Sequence, residues 1–477
     1  MIGILLLIFA IHYYFTSHRK WSILIFLAFC FKGFQLLPDA VIGFKNTDLA
    51  IMYCAVICPF TVLFERRSIT QDRTLKIMLI FFSYFMIASS FFSRYHYDFT
   101  WYQILQGGRR MYIFLCYFFL VKLKKDEILW ILEKLYYITL ITSVLYSIQV
   151  ITGLPVLPTR DYHFDVLAGF GRYYNSPPLL YLFIFVSIFY PQYAKIKRPI
   201  ISIIIFTVAL ICTQGRTQMV TVLMMVIVGF LMRGSLTKTI KYVAIGTLIA
   251  LPFTGLIVDR FTSGSSKQTN TFTEIEGILN GSFIDAATTG QFAGLGTMTY
   301  RMAWIYERHL YLKERPLGEK IFGLGLISDS QDELVQRMYS FKVGLVYDEK
   351  GNIGQLSTPD TSYGNLLTKF GYVGGVFLFL IWFRLLVIGW KYKKKDEWMF
   401  ILFLLSGEYI LLSFAGDIIS NPATLSIFFI LTTLYFCKLQ DKALNTIREV
   451  TNSSQQNDDI IDNDLQIQEV NSEDHTH

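Results

Sequence analysis

Asp360-Thr361-Ser362-Tyr363 closes a polar, Gly-punctuated segment that opens at Asp259, and the apolar run 366–389 follows it at once. Within the segment stand Arg301-Met302-Ala303-Trp304, Arg315-Pro316-Leu317-Gly318 and Gly323-Leu324-Gly325. Every other polar stretch outside the C-terminal tail is shorter. Connections of this length without a structural job are uncommon in compact proteins, so the segment is expected to cover or form a site.

The sequence on either side of it decides the fold class. Of 477 residues, 53% are hydrophobic and only 17% charged, and the apolar residues come in runs. A bilayer span takes roughly 17–25 mostly apolar residues. The candidate spans are 2–16, 21–37, 48–64, 77–93, 103–121, 128–150, 177–193, 199–212, 217–232, 242–258, 366–389, 398–415 and 422–437, with the first, second, eighth and last short. The expected fold is an all-α polytopic integral membrane protein of about 12–13 transmembrane helices with one large, partly helical loop. It divides into a bundle over 1–258, the loop over 259–365, further spans over 366–437 and a tail over 438–477. The first run has no basic residues before it and no small-residue cleavage site after it, so it reads as a span rather than a signal peptide.

The net charge of +7 does not point to nucleic acid, because Lys and Arg sit in alternate short loops. Six of these loops hold 19 of them, and the five loops between hold five. That bias places the basic loops and the C-terminus in the cytoplasm and the long segment outside. All six cysteines fall within predicted spans, which argues against a disulfide framework and a zinc site. From Glu449 onward there are eight acidic residues and no Lys or Arg, the composition of a disordered tail.

The chemistry-bearing feature is arginine on the side that positive-inside statistics disfavour. Arg94, Arg109, Arg110, Arg160, Arg172 and Arg216 all fall at the outer face or just within it. Arg109 and Arg110 lie inside the fifth run, beside Gly107-Gly108, and an ionisable residue at that depth reads as functional unless it is paired or solvated. Arginine stays charged and grips phosphate in a fork, so a group of them at one leaflet suits a lipid-linked pyrophosphate. The plainer readings are snorkelling and pairing with Asp98, Asp161 or Asp165. Glu307 and His309 fall on an expected amphipathic helix over 298–314, where Arg301, Trp304 or Ile305, and Arg308 recur at helical spacing; there a solvated face or a salt bridge is the plainer reading. Asp360 is also well placed to cap the helix that follows. The Tyr and Trp residues near this face, Tyr363 among them, fit either an aromatic belt or sugar stacking.

These residues resemble a family. Gly215-Arg216-Thr217 between two apolar runs, Arg172-Tyr173-Tyr174-Asn175-Ser176-Pro177 opening another, Arg301-x-x-Trp304 with Pro316 and Gly323-x-Gly325, and Asp360-x-x-Tyr363 before Gly371-x-x-Gly374 are similar in order and spacing to segments of the O-antigen polymerase (Wzy-type) and O-antigen ligase superfamily. The resemblance covers 172–374 and the overall topology, and implies a GT-C-like membrane glycosyltransferase. It further implies metal- and cofactor-independent transfer of a glycan from undecaprenyl diphosphate at the outer leaflet of a bacterial cytoplasmic membrane. Arg216 and Arg301 would stabilise the departing diphosphate, and Asp360 would take the proton of the attacking hydroxyl. Arg172, Arg109, Arg110, Arg308, Trp304 and Tyr363 would bind the lipid diphosphate or glycan. A chain-length regulator is the partner the family leads one to expect. Ligases of the family carry histidine where this chain has Asp360, which favours a repeat-unit polymerase over transfer to another acceptor. A peptidoglycan polymerase of comparable topology lacks the matching local pattern. A flippase would show repeated halves with broken helices, and none is evident.

The topology is checked by a cysteine at Ser266. It should react with a membrane-impermeant thiol reagent in intact spheroplasts, and labelling only after lysis would reverse the assignment of sides.

Overall fold

A computed structural model describes residues 2–16, 18–37, 40–41, 44–65, 71–158, 166–167, 170–171, 173, 176–193, 199–234, 236–262, 271–291, 296–328, 334, 338–339, 341–343, 346–347, 353–354, 356, 358, 360–444 and 446. Arg160, Arg172, Asp161, Asp165, His163, Ser266 and the acidic tail lie outside the described residues. Among the described residues the chain is almost wholly helical, with three antiparallel hairpins of two-residue strands, β1–β2 (Ala40–Val41, Phe44–Lys45), β3–β4 (Val166–Leu167, Phe170–Gly171) and β5–β6 (Val346–Tyr347, Ile353–Gly354).

The helices run α1 (Ile2–Phe15), α2 (Arg19–Cys30), α3 (Asn46–Phe64), α4 (Arg73–His96), α5 (Trp101–Gly108), a 3-10 turn (Arg109–Cys116), α6 (Tyr117–Leu120), α7 (Lys125–Thr152), α8 (Leu180–Phe189), α9 (Pro199–Cys212), α10 (Arg216–Met232) and α11 (Leu236–Ala250). Next come α12 (Thr254–Thr262), α13 (Thr271–Leu279), α14 (Ser282–Thr289), α15 (Thr297–Lys313), α16 (Leu317–Phe322), α17 (Ser362–Tyr392) and α18 (Glu397–Leu412). The last is α19 (Pro422–Leu444). Five helices, α3, α4, α7, α17 and α19, are long and apolar enough to cross a membrane, and shorter apolar helices accompany them at Gly3–Phe15, Leu180–Phe189, Pro199–Cys212, Arg216–Met232 and Ala244–Val258. That is the make-up of a helical membrane protein. Of the apolar window in α19, 83% is buried, against 33–44% in the other four, so among these five α19 is the one enclosed by the rest of the bundle and the other four turn one face outward. The six cysteines are free and buried.

The expected span 103–121 is not one helix. Thr100 and Gln103 cap α5 reciprocally, Gln103 N donating to Thr100 Oγ1 at 3.3 Å and Thr100 N to Gln103 Oε1 at 2.8 Å. The poor helix formers Gly107-Gly108 then end it, and the chain tightens into the 3-10 turn that begins with Arg109-Arg110.

Charged residues fix the end of the bundle away from α15. Asp72 caps α4 through Leu75 N at 2.8 Å and receives Arg384 of α17 twice, at 3.0 and 2.7 Å. Asp396 caps α18 and holds Lys438 of α19 at 2.5 Å. At the α15 end, α17 is broken at Gly371 (φ 61°, ψ −162°). A Cβ at Gly371 would lie 2.5 Å from the Lys320 carbonyl oxygen and 2.6 Å from Gly323 N, and one at Gly323 would lie 2.5 Å from Gly371 N. Two backbones therefore meet with no room for a side chain on either, and Leu324 N donates to Thr368 O at 2.8 Å beside the break.

Gly371→Ala should lower stability by at least about 2 kcal/mol, read as thermal unfolding in detergent. Gly246→Ala, which meets nothing within 4 Å, should stay within about 1 kcal/mol of the parent.

Candidate functional site

The site is built on α15. Its buried face is Thr299, Ala303, Trp304, Arg308 and Leu312, at the helical spacing expected for 298–314. Trp304 and Arg308 are both 0% exposed. The Arg308 guanidinium lies between two rings, 4.0 Å from the centroid of Trp304 and 3.6 Å from that of Phe341, a desolvated cation–π arrangement. It donates to Glu307 at 2.5 Å and to Val343 O at 3.3 Å. Glu307 in turn accepts from Lys342 N at 2.7 Å and Val343 N at 3.1 Å. Trp304 is seated against α17 at Gly364, where a Cβ would come 2.1 Å from the indole Cδ1. Trp304 and Arg308 therefore form the interior of the segment. His309 is exposed, with Nδ1 3.0 Å from the Tyr372 hydroxyl.

Arg301, at the N-terminal part of the same helix, meets the start of α17. Its guanidinium lies 3.8 Å from Asp360 Oδ1, with Arg301 14% and Asp360 42% exposed, so an enclosed cation faces a carboxylate open to solvent. Asp360 does not cap α17: Thr361 holds the cap position and no side chain makes the capping bond. The Asp360 carboxylate accepts from Thr358 Oγ1 at 3.4 Å, and that hydroxyl accepts from Asp360 N at 3.2 Å. Asn365 fixes Thr358 from one turn inside α17, its Oδ1 accepting from Thr358 N at 2.9 Å and its Nδ2 donating to Thr358 O at 2.7 Å. Tyr300 is hydrogen-bonded to Thr358, and burial pushes its phenol above the usual tyrosine value. Tyr363 points into the bundle, its hydroxyl donating to Ile410 O at 3.1 Å and its ring 4.5 Å from that of Phe414.

Ser362 binds α17 to the connection between α18 and α19. Its hydroxyl donates to Gly416 O at 2.9 Å and accepts from Ile418 N at 2.7 Å and Ile419 N at 3.1 Å. Ser362 N donates to Ser413 O at 3.0 Å. Asp417 lies in this connection; burial raises its carboxyl from the ordinary aspartate value, opposed by Asn365, Lys369 and Arg110 in that order. Ser420 Oγ donates to Asp417 Oδ1. Arg109 turns to Asp48 of α3 at 2.8 Å.

Arg216 is the first residue of α10. Helices α10 and α18 run antiparallel, since Thr221 Oγ1 meets Glu408 Oε1 at 2.6 Å near one end and Arg233 lies 4.8 Å over the Phe400 ring near the other. With about 1.5 Å rise per residue, Arg216 stands at the height of the connection that carries Asp417. The turn before Arg216 is tied to the strand before Arg172 by Gln214 Nε2, which donates to Gly171 O at 2.9 Å. Tyr146 OH reaches Tyr173 O at 2.9 Å and Cys212 O at 3.5 Å.

The structure thus brings Arg301, Asp360 and Arg110 to one end of the bundle around Thr358, Asn365 and Asp417, with Arg216 level with them. Arg308 and Trp304 lie in the interior beside them. Arg109 turns to α3, and Arg172 lies outside the described residues. Three of the arginines face separate carboxylates: Arg109 faces Asp48, Arg301 faces Asp360 and Arg308 faces Glu307. Sequence reasoning missed Asp417, Asn365, Lys369 and Thr358. Asp417 had one legible signal: it is the acidic residue of a short connection without Lys or Arg between two apolar runs. Among the described residues, no group of three or more His, Cys, Asp or Glu could hold a metal ion. The fold and this end of the bundle define a helical membrane protein with a charged, hydrogen-bonded cluster at one end. No family model matches the chain, and no curated protein matches it.

Arg308→Ala leaves the largely enclosed Glu307, 12% exposed, without its cation and should cost about 3–5 kcal/mol. The measurement is thermal unfolding in detergent together with proteolytic sensitivity of 297–343; an unchanged melting temperature and cleavage pattern would remove Arg308 from the segment's core.

Proposed function

We propose that the chain is a polysaccharide repeat-unit polymerase. It joins oligosaccharides carried on undecaprenyl diphosphate at the extracytoplasmic face of a bacterial cytoplasmic membrane and releases the carrier diphosphate. The support is the resemblance over 172–374, the Lys/Arg asymmetry of the short loops, and one structural observation. That observation is that Arg301 and Asp360, far apart in sequence, meet at 3.8 Å where α15 abuts α17.

The chemistry follows from this pair. At 3.8 Å the contact is longer than a hydrogen bond, and a diphosphate presents more charge and more acceptor oxygens than one carboxylate. A donor arriving here would draw the Arg301 guanidinium into charge-assisted bonds with phosphate, and Asp360 would be released from its cation. As the bond between the anomeric carbon and the phosphate oxygen breaks, negative charge grows on the leaving diphosphate. A cation already aimed there lowers the barrier, and Arg216, at the same height, is the second candidate. A carboxylate must accept the proton of the attacking sugar hydroxyl. Among the described residues, Asp360, which meets Arg301, is the carboxylate that the resemblance nominates.

Arg301→Ala and Arg216→Ala should each reduce long-chain polymer by about 10²–10³-fold. Single repeat units should then accumulate on the carrier lipid at the outer face. Polymer of normal length would overturn the reading, and units that never reach the outer face would replace it with a transporter.

A further inference from the structure

Glu319 stands where three pieces of chain meet, and the Arg301–Asp360 site makes no use of it. Its carboxylate is enclosed, at 8% exposure, and two exposed groups flank it. His96, the last residue of α4, places Nε2 3.0 Å from Glu319 Oε1; an ionised carboxylate only accepts, so Nε2 carries the proton. Arg315, just past the end of α15, places Nε 3.7 Å from Glu319 Oε2, longer than a hydrogen bond. The same guanidinium donates to the Tyr311 hydroxyl and lies 4.2 Å from the centroid of that ring. Packing fixes the cluster from behind. The His96 ring stacks on Phe92 at 4.7 Å, and a Cβ at Gly318 of α16 would come 2.7 Å from the same Phe92 ring.

Exposure decides what this cluster can do. Arg315 is 42% and His96 41% exposed, so an anion arriving from outside can reach the guanidinium. When Arg315 turns to it, Glu319 is not left bare, because the hydrogen bond from His96 stays. Charge-assisted bonds to phosphate oxygens then replace a loose contact. Depth decides which anion. Helix α4 has 24 residues, about 36 Å at 1.5 Å per residue, against a hydrocarbon core of about 30 Å. His96 is at the end of α4 away from the Asp72–Arg384 pair. Beside it Tyr95 and Trp101 are exposed, both against Phe91, as aromatic residues are at the headgroup level. A phosphate at this depth belongs to a lipid.

Helix α15 joins this cluster to Arg301. Arg315 is fourteen residues beyond Arg301, and the chain is still coiled there, Arg315 N donating to Leu312 O at 3.1 Å. That is about 20 Å of helix, a length that several linked sugar rings bridge and a single ring does not. Between the two arginines the exposed His309 ring stacks with Tyr306 at 6.3 Å, and Tyr372 meets it edge-on at 5.9 Å. Such rings offer an apolar face to a sugar and polar edges to its hydroxyls.

We infer that Arg315, backed by Glu319 and His96, binds the carrier diphosphate of the acceptor repeat unit. The inference rests on the polymerase reading and deepens it. Each joining releases the donor's diphosphate, so the product stays on a carrier only because the acceptor keeps its own. Two diphosphates are therefore present during transfer, and they need separate sites. The donor's lies at Arg301. The acceptor's lies one repeat unit away at Arg315, with its sugars along α15 and its attacking hydroxyl at the Arg301–Asp360 end.

The test uses the full-length protein in phosphatidylcholine proteoliposomes. The donor is the host's repeat unit on undecaprenyl diphosphate, methylated on its terminal sugar so that it cannot accept. Two acceptors that cannot donate are compared: the repeat unit joined to the carrier diphosphate through a methylene group, and the same oligosaccharide as its methyl glycoside. Arg315→Ala should raise the KM for the diphosphate acceptor about 10–100-fold. The kcat, the donor's KM and the rate with the methyl glycoside should each stay within about threefold of the parent. An equal fall with both acceptors would mark a structural role and overturn the assignment, as would a KM for the diphosphate acceptor within about threefold of the parent. If phosphatidylglycerol in the vesicles raises that KM in the parent but not in Arg315→Ala, the site takes any anionic phospholipid and the assignment also falls. Should Arg315→Ala fail to fold, Arg315→Gln is judged by the same readings. A parent that transfers to neither acceptor removes the polymerase reading, and this site with it; an active parent with an unaltered Arg315→Ala removes this site alone.

Discussion

One hydroxyl joins the two parts of the molecule on which the candidate site depends. Ser362 uses its single side-chain oxygen for three backbone groups, Gly416 O, Ile418 N and Ile419 N, and its own amide for Ser413 O. A connection between two helices leaves backbone groups without helical partners, and unpaired polar groups are costly when buried. Here those groups are satisfied by the first residue of another helix. The entry to α17 and the exit from α18 therefore form one hydrogen-bonded unit, and Asp360 and Asp417 are positioned by the same contact. The break at Gly371, two and a half turns further on, performs the matching task for the polar segment by letting the Gly323 backbone approach α17 directly.

How much of this was legible in the sequence depends on the range of the interaction. The helical class, the amphipathic helix around Arg301 and the start of α17 near Ser362 follow from apolar runs and 3.6-residue spacing, which are local signals. The break of the run 103–121 was less legible, because apolar content is blind to a tightening of the backbone after Gly107-Gly108 and to the carboxylate that Arg109 turns toward. Arg308 and Trp304 show the same limit. Their spacing placed them together on one face, but only the packing of Phe341 and Gly364 against that face shows it to be interior. The stitch at Ser362 joins residues more than fifty apart, and nothing in the local sequence of Gly416-Asp417-Ile418 announces it.

The pairing of arginines with carboxylates follows from solvation. A guanidinium cannot discharge itself by losing a proton, so where it is partly withdrawn from water an anion must face it or the fold loses stability. Arg308, wholly enclosed, has Glu307 at 2.5 Å, whereas Arg301, at the margin, has Asp360 at 3.8 Å. In the closer pair the guanidinium is fully enclosed and the carboxylate nearly so, at 12% exposed. The looser one stands where solvent still reaches its carboxylate.

That gradient bears on how a cluster of this kind could bind an anion. A cation held by a tight, buried carboxylate cannot be redirected without leaving a charge behind in a poorly solvated place, at a cost of several kcal/mol. A cation facing an exposed carboxylate can be redirected at little cost, because water takes over the solvation of the anion that is left. Of the ion pairs among the described residues at this end, Arg301 with Asp360 has that asymmetry of exposure, 14% against 42%. Under the proposed reading, the resting site keeps its guanidinium balanced with a carboxylate that water can solvate once it is released. Arrival of the diphosphate then exchanges one partner for another instead of stripping a bare cation from solvent.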